Sequence, residues 1–205
     1  MSTLSTTNLK NASSGSNNIV LATDGSATIA TLSSTTITGT TIQGTIKSGT
    51  ASGPHPLSPA VSAVDFANIP SWAKRITVIF NGVSQNSATQ YIIVQLGDSG
   101  GIEATGYASG GSFSGASSSG FTSTAGFVTG SNMNAAGTLH GLMIITLLGS
   151  NTWVASFAGG LSDANYGHLG GGSKTLSDTL TQLRITTVGG TATFDAGNIN
   201  LLWEG

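Results

Sequence analysis

Arg75-Ile76-Thr77-Val78-Ile79-Phe80, followed at once by Asn81-Gly82, is the stretch on which the fold reading turns. Isoleucine, threonine, valine and phenylalanine favour a pleated, half-buried backbone, so the run reads as a strand. Asn-Gly tolerates positive φ and is expected to close it. Working outward, the same signal recurs at 61–66, 91–96, 139–148, 152–157, 183–188, 191–194 and 198–203. Asn151 marks a tight turn between two of these runs, and Gly189-Gly190 reads as a hairpin turn between two others. Ile69-Pro70-Ser71-Trp72 reads as a turn or a single helical turn. In the last run Ile199, Leu201 and Trp203 alternate onto one face, which assigns Trp203 to the core. Eight to ten short strands without a helical period predict an all-β chain with a jelly-roll-like β-sandwich over residues 61–205.

Composition points the same way. The 205 residues include 30 Gly and no Cys, only 7% are charged, and the formal net charge is −2. Polarity comes from Ser, Thr, Asn and Gly, so the surface must be rich in hydroxyls and amides. A disordered chain would carry far more charge and fewer β-branched residues. Lys74-Arg75 is the one basic pair, which argues against a nucleic-acid partner. The absence of Cys removes disulfides, thiolate metal sites and Cys nucleophiles together. Residues 142–148 form the longest apolar run, too short for membrane insertion. Residues 1–6 have neither the basic segment nor the apolar core of a secretory signal, so synthesis in the cytoplasm without export is expected.

The first 60 residues are organised differently. In 1–35, Ile19-Val20-Leu21-Ala22 and the run from Ala27 to Leu32 flank Asp24-Gly25, a hairpin signal, and a hairpin this small needs covering by something else. Over 36–50, Gly39, Gly44 and Gly49 recur every five residues, each followed by Thr, with Ile37, Ile42 and Ile46 interspersed. One thin chain has no interior for those isoleucines, whereas three copies round an axis do. A short trimeric β stalk is therefore expected over 36–60, ending in the Pro-rich connector 53–59; a flexible Ser/Thr/Gly linker is the plainer reading.

The chemistry-bearing residues are sparse. Gly97-Asp98-Ser99-Gly100-Gly101 matches the nucleophile loop of chymotrypsin-like serine proteases, and His55 and Asp65 precede it in the order a triad would need. However, His55 lies between two prolines only 44 residues upstream of Ser99, which leaves no room for a first β-barrel, and a turn is the simpler reading. Asp98 and Glu103 are the two carboxylates expected to meet across a loop. The histidines 55, 140 and 168 are solitary, with no spacing that builds a metal site in one chain, though an axial His in a trimer would supply three ligands. His140 is read as a satisfied core residue. Gly170-Gly171-Gly172-Ser173-Lys174 lacks phosphate-loop spacing. No catalytic residue, cofactor or metal ligand is expected. The Gly/Ser-rich stretches 106–120 and 159–172 read as surface loops, and their Tyr107, Phe113, Tyr166 and His168 are the candidate receptor contacts.

Three stretches carry a resemblance. Thr7-Asn8-Leu9-Lys10 with residues 18–26 is similar to the opening of tailed-phage structural proteins. Residues 69–80, 94–101 and 195–204 resemble the C-terminal domain of phage fibre-like proteins. The resemblance implies a homotrimeric virion protein that docks to the tail or capsid by residues 1–35 and displays a knob to a host glycan or protein. Three functions follow as expectations: a short tail fibre for host attachment, a capsid decoration or head-fibre protein, and a glycan depolymerase. The last is disfavoured because no close carboxylate pair is evident and the chain is short.

Overall fold

The computed structural model describes residues 8–9, 19–21, 27–29, 48–50, 55–57, 60–130, 135 and 137–205. These divide between two compact units, Met1–Thr45 and Ile46–Gly205. In the first, β1 (Asn8–Leu9), β2 (Ile19–Leu21) and β3 (Ala27–Ile29) form an antiparallel sheet in that order. Ile19 pairs with Ile29 and Leu21 with Ala27, the hairpin that Asp24-Gly25 predicts. Ile37, Gly39, Ile42, Gly44 and Ile46 of the expected stalk lie outside the described residues.

The second unit is a β-sandwich, and no helix occurs among the described residues. Its strands are β4 (Ser48–Thr50), β5 (His55–Pro56), β6 (Ala63–Phe66), β7 (Arg75–Gln85), β8 (Ile92–Asp98), β9 (Gly101–Ile102), β10 (Ala108–Gly115) and β11 (Ser118–Ser123). They continue with β12 (Phe127–Val128), β13 (Leu139–Gly149), β14 (Thr152–Leu161), β15 (Tyr166–Thr175), β16 (Gln182–Thr187) and β17 (Phe194–Glu204). The large sheet runs β11-β10-β15-β14-β13-β7-β17-β4 with β5 also on β17, and the small sheet runs β12-β8-β16-β6 with β9 on β8. Every pairing is antiparallel.

Alternation places the core between the sheets. Ile76, Val78 and Phe80 of β7, Met143 and Ile145 of β13, and Ile199 and Leu201 of β17 face Val64, Val94, Leu96 and Ile185 of the small sheet, all buried. Full burial of each large side chain stabilises the fold by roughly 1.5–3 kcal/mol. Trp203 is half-buried against the same core, on the face predicted for it.

Four expectations are corrected. Asn81-Gly82 does not end a strand: β7 continues to Gln85 through a bulge, with Gly82 at φ +65° opposite Gly197 at φ +94°. The extra residue lets Val83 face the core although it lies three positions after Phe80. Gly189-Gly190 is not a hairpin turn, because β16 and β17 belong to different sheets and the glycines carry the chain across the sandwich. Residues 48–50 and 55–56, expected in the stalk and connector, are strands of the large sheet, with Gly49 in register with Trp203 and Pro56 with Asn198. Pro56 loses little there, since β5 flanks β17 at the end of the sheet where no further donor is needed. Lastly, 106–120 and 159–172 are strands and tight turns rather than long loops.

Candidate binding surfaces

The glycine-rich strands β10 and β15 keep a strand's alternation with few apolar residues to mark it. On β10 the inward positions are Ser109, Gly111 and Phe113, and on β15 they are His168, Gly170, Gly172 and Lys174, by register with each other. β12 of the small sheet lies directly over them. A Cβ on Gly111 would stand 2.9 Å from Val128 Cγ2, and one on Gly170 would overlap the Val128 carbonyl oxygen. Glycine is required because backbone packs on backbone at that point.

Three of the four candidate receptor contacts, Tyr107, Phe113 and His168, therefore sit inside, and Tyr166 is half-buried. Tyr107 is buried: its hydroxyl accepts from Leu96 N–H (2.6 Å) and its ring meets Phe127 edge-on at 5.1 Å. Burial pushes its phenol well above the ordinary value. Phe113 is buried edge-on against half-buried Tyr166 at 5.4 Å, and His168 is 1% exposed. Neither ring nitrogen of His168 has a hydrogen-bond partner, and burial lowers its pKa, so the imidazole is held neutral. These side chains belong to the core of the sandwich, not to a contact loop. His140 is half-buried rather than core; its Nδ1 accepts from Gly82 N–H at 3.3 Å and its Nε2 lies 3.2 Å from Ser162 Oγ, tying down the bulge.

The Gly97–Gly101 segment is the β8–β9 turn, closed by Gly100 N–H donating to Asp98 Oδ1 at 2.7 Å. Asp65 is committed to Arg184, so it does not orient a histidine toward Ser99. Asp98 and Glu103 do meet, through Ser177: its Oγ lies 2.6 Å from Asp98 Oδ2 and 2.8 Å from Glu103 Oε1, and its N–H donates to Glu103 Oε1 at 2.7 Å. The Ser177 hydroxyl and Gly100 N–H hold the Asp98 carboxyl below its usual range. Partial burial pushes Glu103 up, but the Lys174 ammonium at 2.5 Å and the Ser177 donors outweigh it. Lys174, buried and 5.4 Å from the Tyr107 ring centroid, and Ser177 are the members that sequence reading missed. This cluster staples the β8–β9 hairpin to the segment after β15. Among the described residues no three His, Asp or Glu side chains gather to hold a metal.

Two surfaces remain open to partners. On the outer face of the small sheet, Gln95, Arg184 and Asp65 form one row across β8, β16 and β6. Arg184 donates to both Asp65 oxygens, at 2.6 and 2.7 Å, and its Nη1 has no protein acceptor among the described residues. Gln95 is fixed by donating from Nε2 to Ala125 O at 2.9 Å, and Thr186 Oγ1 donates to Ser62 O at 2.9 Å. Arg184, Gln95 and Thr186 line a groove of about 480 Å³ together with Ala63, Ala104, Ala125 and the Val188-Gly189-Gly190 rim. On the outer face of the large sheet, Leu142, Val154 and Leu169 are 47%, 43% and 61% exposed, and Leu148 projects from the bulged end of β13.

No family model, no curated protein and no solved structure matches this chain.

Proposed function

We propose that the chain is a structural virion protein of the tailed-phage fibre kind, a homotrimer that attaches to its particle by the N-terminal unit and presents the sandwich to a glycan on the host surface. The observation that carries the glycan assignment is the groove of Arg184, Gln95 and Thr186, with Asp65 paired to the Arg184 guanidinium. Guanidinium, carboxylate and amide are planar groups that bind adjacent sugar hydroxyls in pairs, and the alanines and Val188 offer apolar contact for the C–H face of a ring. The Asp65–Arg184 pair fixes the guanidinium before any ligand arrives, which lowers the ordering cost of binding. Scarcity of charge elsewhere suits a surface that selects hydroxyls over ions.

A second reading, capsid decoration, is favoured by the first unit. Its sheet ends in β1 and β3, each with one strand neighbour among the described residues. Such edges accept a strand from a shell protein. The two readings separate on a panel of immobilised bacterial surface polysaccharides beside empty phage capsids. The attachment reading expects retention of the full chain by a polysaccharide, weakened at least tenfold in Arg184→Ala. Retention by capsids alone would replace it with decoration, and polysaccharide binding unaffected by Arg184→Ala would remove the groove from the account.

A further inference from the structure

The outer face of the large sheet can be mapped residue by residue, because cross-strand partners in an antiparallel sheet share a side. One row runs Asn200, Ile79, Leu142, Ala158, Leu169 and Ser112 across β17, β7, β13, β14, β15 and β10. The next runs Leu202, Thr77, Ile144, Ser156, Gly171 and Gly110. The third starts with Glu204 and Arg75 and continues through Thr146, Val154, Ser173 and Ala108. Among the described residues on these rows, the charged ones are Glu204 and Arg75, and they lie 3.6 Å apart in an ion pair at one end. Everything else is aliphatic, hydroxyl, amide or glycine.

That pattern selects the occupant. A face without unpaired charge offers no complement to a charged partner, yet two copies of it meet without like-charge repulsion. Its extent is of interface size: six strands at about 4.8 Å by three rows at about 7 Å give roughly 600 Å² for the whole face, shared between the two neighbours a copy has in a ring, against roughly 800 Å² per partner of a standard interface. Relief on the face is also directional. Leu169 projects near the β15 side, while a hollow of about 380 Å³ opens near the β17 side, lined among the described residues by Ile79, Asn81, Asn198, Ile199 and Asn200. A projection and a hollow at opposite sides of one face make a head-to-tail contact, which closes into a ring when the rotation allows.

We infer that this face is the subunit interface, with Leu169 of each copy seated in the Ile79–Asn198–Asn200 hollow of the next. The inference rests on the homotrimer of the proposed function and names the surface that forms it. The face then has the apolar coverage that exposed Leu142, Val154 and Leu169 otherwise lack.

Light scattering on the purified full chain, with circular dichroism as a control on folding, tests it. Wild type is expected at three times the chain mass and Leu169→Asp at one, with unchanged β signal, since that side chain is mostly solvated within one chain. The chain has no Cys, so a Leu169→Cys/Asn200→Cys variant under mild oxidation gives a clean second readout: covalent dimers and trimers that reductant dissolves. A monomeric wild type overturns the homotrimer itself. A trimeric wild type with a trimeric Leu169→Asp and no cross-link leaves the homotrimer standing and overturns this face as its interface.

Discussion

The two ends of the large sheet close the same sandwich in opposite ways. At the β7–β13–β17 end, the gap to the small sheet is filled by side chains: Ile76, Val78, Phe80, Met143, Ile145, Ile199 and Leu201. At the β10–β15 end, Gly111 and Gly170 stand among the inward positions, and Val128 of β12 rests on them. Stacked sheets normally stand about 10 Å apart, and glycine removes that spacer. The first end is stabilised by apolar area. The second depends on close backbone fit and on the Lys174–Glu103–Ser177–Asp98 cluster, and it encloses His168 without a partner at a cost. Aromatic residues and glycines in a Ser-rich setting are therefore no sign of a contact loop in this chain; they line a tight seam.

The largest expected effect probes the filled end. Ile145→Ala leaves a cavity in a site with no exposure and is expected to destabilise the sandwich by about 3 kcal/mol in urea unfolding. A loss under about 1 kcal/mol would mean that this end is also loosely packed, and the contrast would fail.

Next is Lys174→Met. Removing the ammonium leaves Glu103 with a serine alone, and a loss of about 2 kcal/mol is expected at neutral pH. The sign with pH follows from the carboxylates. Asp98 and Glu103 both titrate below their unfolded values, so their contribution is present above about pH 4 and is lost as pH falls through the lower folded values. Lys174→Met should therefore show a flatter acid limb than wild type between about pH 4 and 2. Equal acid limbs would place the charge cluster outside the stability of this end.

The smallest effect belongs to His168. Its folded pKa is below the unfolded value because burial disfavours the imidazolium. Full stability is thus present above about pH 6.5 and declines as pH falls below it, with a slope of at most about 1.4 kcal/mol per pH unit. His168→Phe should flatten the profile between about pH 6.5 and 5. An unchanged profile would assign that slope elsewhere.

The sequence disclosed one end far better than the other. Residues 75–80, 139–148 and 198–203 are dense in large apolar and β-branched residues, and that signal survives into the strands. On β10 and β15 the alternation is strict, but it runs Ser109-Gly111-Phe113 and His168-Gly170-Gly172-Lys174, which carries almost no hydrophobic signal. The period of two was present; the expected residue size was not. Asn81-Gly82 misled for a related reason, since positive φ serves a bulge as well as a turn. The meeting of Asp98 with Glu103 was readable from their spacing, whereas Lys174 joins them from 71 residues away from Glu103, and pairing at that range has no local signature. The Arg184–Asp65 row likewise depends on the β6–β16 register, which no motif announces.

The most direct measurement compares two glycines of one strand. Gly170 faces β12, where a Cβ overlaps the Val128 carbonyl, while Gly167 faces outward, where a Cβ would meet only Ser114 O at 3.9 Å. If the glycine-rich end is a packing seam, Gly170→Ala should lower unfolding stability by about 2–3 kcal/mol. Gly167→Ala should leave it within about 0.5 kcal/mol or raise it slightly. Two small stabilisations would mark both positions as free surface chain and contradict the account.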